Sequence, residues 1–140
     1  RRPRIMASIL KVDTITGVST AGSIAVTGEG NSTTTNLQQG LCKAWINFNG
    51  TGTIATRDSF NVASITDGGT GLYTVTITND FNNDDYSTAG AAGENDDAGG
   101  NRSLGLRAKA AGSTNLRGFR DGVSADDMAE MSMQNMGDLA

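Results

Sequence analysis

Lys43-Ala44-Trp45-Ile46-Asn47-Phe48-Asn49-Gly50, Thr56-Arg57-Asp58-Ser59-Phe60-Asn61-Val62-Ala63-Ser64-Ile65, Asp67-Gly68-Gly69-Thr70-Gly71 and Leu72-Tyr73-Thr74-Val75-Thr76-Ile77 read in order as a strand, a strand, a turn and a strand. These segments hold the only Trp of the chain, two of its four Phe and one of its two Tyr, so a core is expected to centre here. Tyr73, Val75 and Ile77 alternate with Thr74, Thr76 and Thr78, the pattern of a strand with one wet face. The glycines of Asp67–Gly71 permit the positive φ values of a hairpin connection. Trp45, Phe48, Phe60, Val62, Tyr73, Val75 and Ile77 are expected to form the head core or a subunit interface. Burial of large side chains explains the stretch; no catalytic set is visible in it.

Downstream, alternating segments separated by turn signals continue to the end. Tyr86 to Ala92, Leu104 to Ala110, Thr114 to Phe119 and about Met128 to Met136 read as strands, with Leu104 to Ala110 and Thr114 to Phe119 making a hairpin across Ala111-Gly112-Ser113. Methionine side chains in the last strand suit irregular gaps. Counting from Trp45, about seven strands point to a small antiparallel β-sandwich. Upstream, Gly22-Ser23-Ile24-Ala25-Val26-Thr27-Gly28 reads as a short strand bounded by glycines. It has too few large side chains for a core of its own, so an extended arm pairing with neighbouring chains is expected. Ser32 to Asn36 offers N-cap residues, and Leu37 and Leu41 then fall on one face of one or two helical turns, a neck packed against its equivalents in other subunits. The expected organisation is an arm and neck over residues 1–41 and a head over residues 42–140, with an all-β fold. Arg1 to Ile5 read as an upstream extension, because Met6-Ala7-Ser8 looks like a natural start.

Hydrophobic residues make up 36% of the 140 and aromatics 5%, few for a lone monomer to bury, which argues for association with copies of itself. Nineteen glycines and a single proline among many Thr, Ser and Asn favour short strands and tight turns over helices. A formal charge of −4 is the wrong sign for nucleic acid or an anionic membrane, and no apolar run is long enough to span a bilayer. Cys42 is the only cysteine, so neither an internal disulfide nor a thiolate zinc cluster is available; it reads as a small core or interface residue.

Met6-Ala7-Ser8-Ile9-Leu10-Lys11-Val12-Asp13-Thr14-Ile15 and Gly22 to Gly30 resemble the opening of small virion-surface proteins of marine and freshwater tailed bacteriophages. Thr34-Thr35-Asn36-Leu37-Gln38-Gln39-Gly40-Leu41, Lys43-Ala44-Trp45, Arg57 to Val62 and the terminal Gly137-Asp138-Leu139-Ala140 extend the likeness, which thins between Gly93 and Asn135. The resemblance implies a tail-fibre or capsid-fibre component, homotrimeric, bound to other virion proteins through its N-terminal arm and displayed on the virion surface, with host attachment as a role. A capsid decoration or cement protein and a carbohydrate-binding adhesin head are the alternatives. No cofactor is implied.

An enzyme is the least expected class, since without histidine the chain lacks the usual base for a nucleophile. Asp84 with Asp85, and Asp96 with Asp97, are adjacent carboxylates in polar loops and read as solvated charges. Asp80, Asn82 and Asp84 alternate as calcium ligands would, but the glycine and the distant bidentate Glu of such a loop are missing, so no metal is assigned. If the head meets a host glycan, the expected receptor loops carry Asp80, Asn82, Asp84 and Asp85, and Asn95, Asp96 and Asp97. Arg102, Arg107, Lys109, Arg117 and Arg120 crowd the last third, where the functional reading is contact with an anionic surface polysaccharide or an acidic neighbour on the particle; the favoured reading is that Arg107 and Lys109 alternate on the wet face of one strand and keep it soluble.

Overall fold

The computed structural model describes residues 9–17, 24–28, 32–94 and 100–140. Two compact units divide the chain, Arg1–Leu37 and Gln38–Ala140. In the first, β1 (Ala25–Thr27) pairs antiparallel with β2 (Thr34–Asn36), and Leu37 N donates to Ile24 O at 2.8 Å. Residues 9–17 carry no helix or strand. A single helical turn, α1 (Leu37–Gly40), lies at the junction. The expected Leu37 and Leu41 stripe does not form on it: the turn stops at Gly40, and Leu41 is half exposed just before the next strand begins.

The second unit is all-β and antiparallel. One sheet has the order β4 (Ala55–Phe60), β3 (Cys42–Asn49), β11 (Glu130–Met136), β7 (Ser87–Gly93). The other runs β5 (Val62–Asp67), β6 (Leu72–Ile77), β9 (Ser113–Arg120), β8 (Arg102–Ala110). Because β8 occupies one whole edge of β9, the two-residue β10 (Ser124–Ala125) pairs on the other, beyond the end of β6. The two sheets pack face to face as a sandwich over one core. Among the described residues nine strands follow Leu41 rather than the expected seven, because β10 is added and the single strand read from Thr56 to Ile65 is two.

That break is made by Asn61. Its φ of 56° lies in the left-handed region, which Asn tolerates better than most residues, and it turns the chain from one sheet into the other. The side chain holds the corner: Nδ2 donates to Lys43 O at 3.0 Å and Asn79 O at 3.1 Å, and Oδ1 accepts from Asn79 N at 2.8 Å. At the β5–β6 hairpin, Gly68 N donates to Leu72 O and Leu72 N to Gly69 O, both at 2.8 Å, with Gly69 and Gly71 at positive φ.

The core follows the period of two. Ala44, Ile46 and Phe48 from β3, Tyr73, Val75 and Ile77 from β6, Leu116 from β9 and Met131 and Met133 from β11 all point inward, joined by Phe81, Tyr86 and Met128. Phe48 meets Tyr73 edge on at 5.2 Å, and Phe81 stacks on Tyr86 at 4.1 Å. Trp45 and Phe60 stand outside this core. Trp45 alternates with Ala44 and Ile46, so it lies on the outer face of β3, and Phe60, its cross-strand partner, is 54% exposed. Val62 packs against the core only in part.

The two fully buried polar residues, Thr114 and Asn135, are bonded to one another and to their neighbours. Thr88 Oγ1 donates to Asn135 Oδ1 at 2.9 Å, and Asn135 Nδ2 to Thr114 Oγ1 at 2.9 Å. Tyr86 Oη donates to Ser113 O at 2.7 Å, with Ala110 O also in reach at 3.2 Å, which leaves the Thr114 hydroxyl, 2.8 Å away, to donate to the phenol. Strands β7, β11 and β9 are tied through the centre this way, because a fully buried Asn135 and Thr114 must be satisfied inside.

Both tyrosines of the chain are buried, which gives a test of this core. Burial raises the Tyr73 phenol, and the Asp127 carboxylate at 2.7 Å adds to the effect. Burial also raises Tyr86, with a smaller push from Asp84, against the opposing bond to Thr114. The folded state therefore binds the phenolic proton more tightly than the unfolded chain, whose tyrosines ionise near pH 10. Stability contributed by these groups is complete below that pH and is lost as pH rises from there toward the folded values. Tyrosinate absorbance should stay low above pH 10 in the folded protein and appear for both residues together on unfolding; ionisation of either phenol at the ordinary pH without unfolding would contradict the packing.

Candidate functional site

The outer face of the β4-β3-β11-β7 sheet is set by register. In one row Phe60, Trp45, Gln134 and Ala89 are consecutive cross-strand partners; in the next, Asp58, Asn47, Ser132 and Ala91 are. Small residues on β7 leave a hollow of about 440 Å³, lined by Trp45, Asn47, Ser132, Gln134 and the Ala89-Gly90-Ala91 segment, with the backbone of Ile46 and Met133 as floor. A larger residue at Gly90 is blocked from within, since a Cβ there would stand 2.7 Å from Leu104 Cδ2 and 2.8 Å from Ser132 O. Nothing in the lining is charged. At the rim, Arg57 Nη1 pairs with Glu130 Oε2 at 2.6 Å and reaches Asn47 Oδ1 at 3.5 Å.

The acidic loop that the sequence singled out lies elsewhere. Phe81 buries itself against Tyr86 and anchors the loop, while Asp80, Asn82, Asp84 and Asp85 remain exposed around it. Asn82 N donates to Asp138 O and Ala140 N to Asp80 O, both at 2.9 Å, so the terminal residues clasp the loop. A polar hollow of about 240 Å³ opens there, bounded by Asn82, Asn83, Asp85 and Asp138, with Gln39 Nε2 donating to Asp138 Oδ1 at 2.6 Å. Among the described residues, no three acidic, cysteine or histidine side chains converge as metal ligands. Asn95, Asp96 and Asp97 lie outside the described residues.

Four of the five basic residues of the last third have partners of their own. Arg102 Nε lies 3.4 Å from Glu94, and Arg120 Nε lies 2.7 Å from Asp126. Arg117 lies over the Phe119 ring at 4.8 Å. Lys109 sits over the Tyr86 ring and donates to the Tyr86 carbonyl, and Arg107 is exposed. Cys42 is a free thiol, half buried, with Sγ 3.3 Å from Ala44 O and 3.5 Å from Asn135 O.

Comparison with protein families, with curated proteins and with solved structures returned no match to this chain. Asn47, Ser132 and Gln134 did not stand out in the sequence. The alternation of β3 carries the signal that Trp45 and Asn47 share a face, but only the pairing of β11 with β3 brings Ser132 and Gln134 beside them.

Proposed function

We propose that this chain is a noncatalytic structural protein of a phage particle, a homotrimeric tail-fibre or capsid-fibre component on the virion surface with its sandwich displayed outward. The N-terminal arm contacts sister chains and other virion proteins, and the head serves host attachment. One observation carries this proposal: Ile9 and Leu10 are 78% and 80% exposed, and Val12, Ile15 and Val26 are also more than half exposed. Apolar side chains of this size gain roughly 1.5–3 kcal/mol each on full burial. Ile9, Leu10, Val12 and Ile15 form a run without regular structure of its own, which suits a segment that is covered by other chains. The likeness to virion-surface proteins in the same N-terminal segments points the same way.

Sedimentation equilibrium of the full chain should give a trimer, and the double change Ile9→Asn with Leu10→Asn should shift it toward monomer while the far-ultraviolet circular dichroism of the head stays unchanged. A monomeric parent chain would refute the trimer. Gold-labelled antibody to the head should mark intact particles at repeated positions, and label found only on cell debris would refute the virion assignment.

A further inference from the structure

We propose that the hollow on the outer face of the β4-β3-β11-β7 sheet binds a neutral saccharide, with Trp45 as the stacking surface and Asn47, Ser132 and Gln134 as its hydrogen-bonding partners. This goes beyond the structural role above and places host-surface contact on the sheet rather than on the acidic loop. Three features of the face select the ligand. Trp45 is only half buried although it is the largest side chain of β3, and the electron-rich face of an indole attracts the polarised C–H groups on one side of a pyranose ring. On the adjacent strand β11 stand the Gln134 amide, opposite Trp45, and the Ser132 hydroxyl, opposite Asn47, whose own amide lies two positions along β3 from Trp45. Amides and hydroxyls both donate and accept, as ring hydroxyls do, whereas a phosphate or carboxylate would call for cations. The lining holds no charged side chain. Third, Ala89 and Ala91 keep the far wall low, so the hollow of about 440 Å³ has room for a small ring system beside the indole.

A second copy of the same face is a poor occupant. Two hollows brought together about a twofold axis leave a void between them, and a void forfeits the packing contacts that hold an interface. A saccharide fills the space and matches the polar groups.

Trp45 is the only tryptophan, so intrinsic fluorescence of the full chain reports directly on this site. Short linear oligomers of glucose, galactose, mannose, xylose and N-acetylglucosamine are the probes, with polygalacturonate as the acidic comparator. At least one neutral oligomer should shift Trp45 emission saturably. Calorimetry should then show Gln134→Ala and Trp45→Ala weakening that oligomer by at least about tenfold, with unfolding midpoints near that of the parent. Asp80→Asn with Asp84→Asn should leave the affinity unchanged. Several results would overturn the proposal: no neutral oligomer moving the emission, binding that follows the acidic loop instead of Trp45, or preference for polygalacturonate. So would emission that changes with protein concentration and Trp45→Ala that dissociates the oligomer, because the face would then be a subunit contact. Failure of the trimer is read separately by sedimentation and leaves this site standing.

Discussion

Phe48→Ala lowers the stability of the sandwich by about 3–5 kcal/mol in urea unfolding, while Phe60→Ala changes it by less than about 0.5 kcal/mol. The two rings were equivalent candidates in the sequence, and their environments differ completely. Phe48 has no exposed surface and meets Tyr73 edge on between the sheets. Truncating it removes the transfer free energy of the ring and leaves a cavity that neighbouring strands cannot close, because the backbone ladders hold them apart. Phe60 ends an edge strand on the outer face, more than half exposed, just before the Asn61 corner. A domain of this size is stable by about 5–15 kcal/mol, so the first change removes a large share and the second almost none. Comparable losses for both would mean that Phe60 is covered by another chain.

Gly71→Ala should cost at least about 3 kcal/mol, against about 1 kcal/mol for Gly52→Ala, measured as the shift of the same urea midpoint. Both glycines have positive φ, 68° and 62°, so the cost of a left-handed alanine is common to the pair. Only Gly71 is also enclosed. A Cβ there would stand 2.8 Å from Asp126 N and 2.8 Å from Gly118 O, backbone atoms that cannot swing away as a side chain would. The same residue is bonded on both sides: its N–H donates to Asp127 Oδ1 at 2.6 Å, and its carbonyl accepts from Gly118 N at 2.8 Å. Asp127 also receives the Tyr73 hydroxyl, so displacement at Gly71 disturbs a core residue. Nothing lies within 4 Å of the position a Cβ would take at Gly52. Equal effects would show that backbone conformation, not enclosure, requires glycine at 71.

Much of the fold was legible because β burial has a short local period. The hairpin across Asp67–Gly71 and the hairpin across Ala111 and Gly112 stand where turn glycines and alternation put them. Two readings went against that same period. Trp45 and Phe48 are three residues apart on one regular strand and so face opposite ways, yet size alone put both in one set, read as head core or subunit interface. The run from Thr56 to Ile65 looked continuous because both halves alternate; the turn between them depends on Asn61 bonding to Lys43 and Asn79, neither of which is near it in sequence. The Leu37 and Leu41 pairing assumed a longer helix than Gly40 and the onset of β3 allow.

The candidate surface was less legible still, since it is assembled from three strands that local pattern cannot bring together. By itself the sequence determined the all-β character, the turns, and which residues of β3 and β6 face alike, because each depends on neighbours within a few residues. The tertiary structure alone decided that β11, the last strand, enters between β3 and β7 and sets Gln134 and Ser132 beside Trp45 and Asn47. That choice rests on how Met131 and Met133 pack against the opposite sheet and on the buried bonds of Asn135, contacts distant in sequence that no local period encodes.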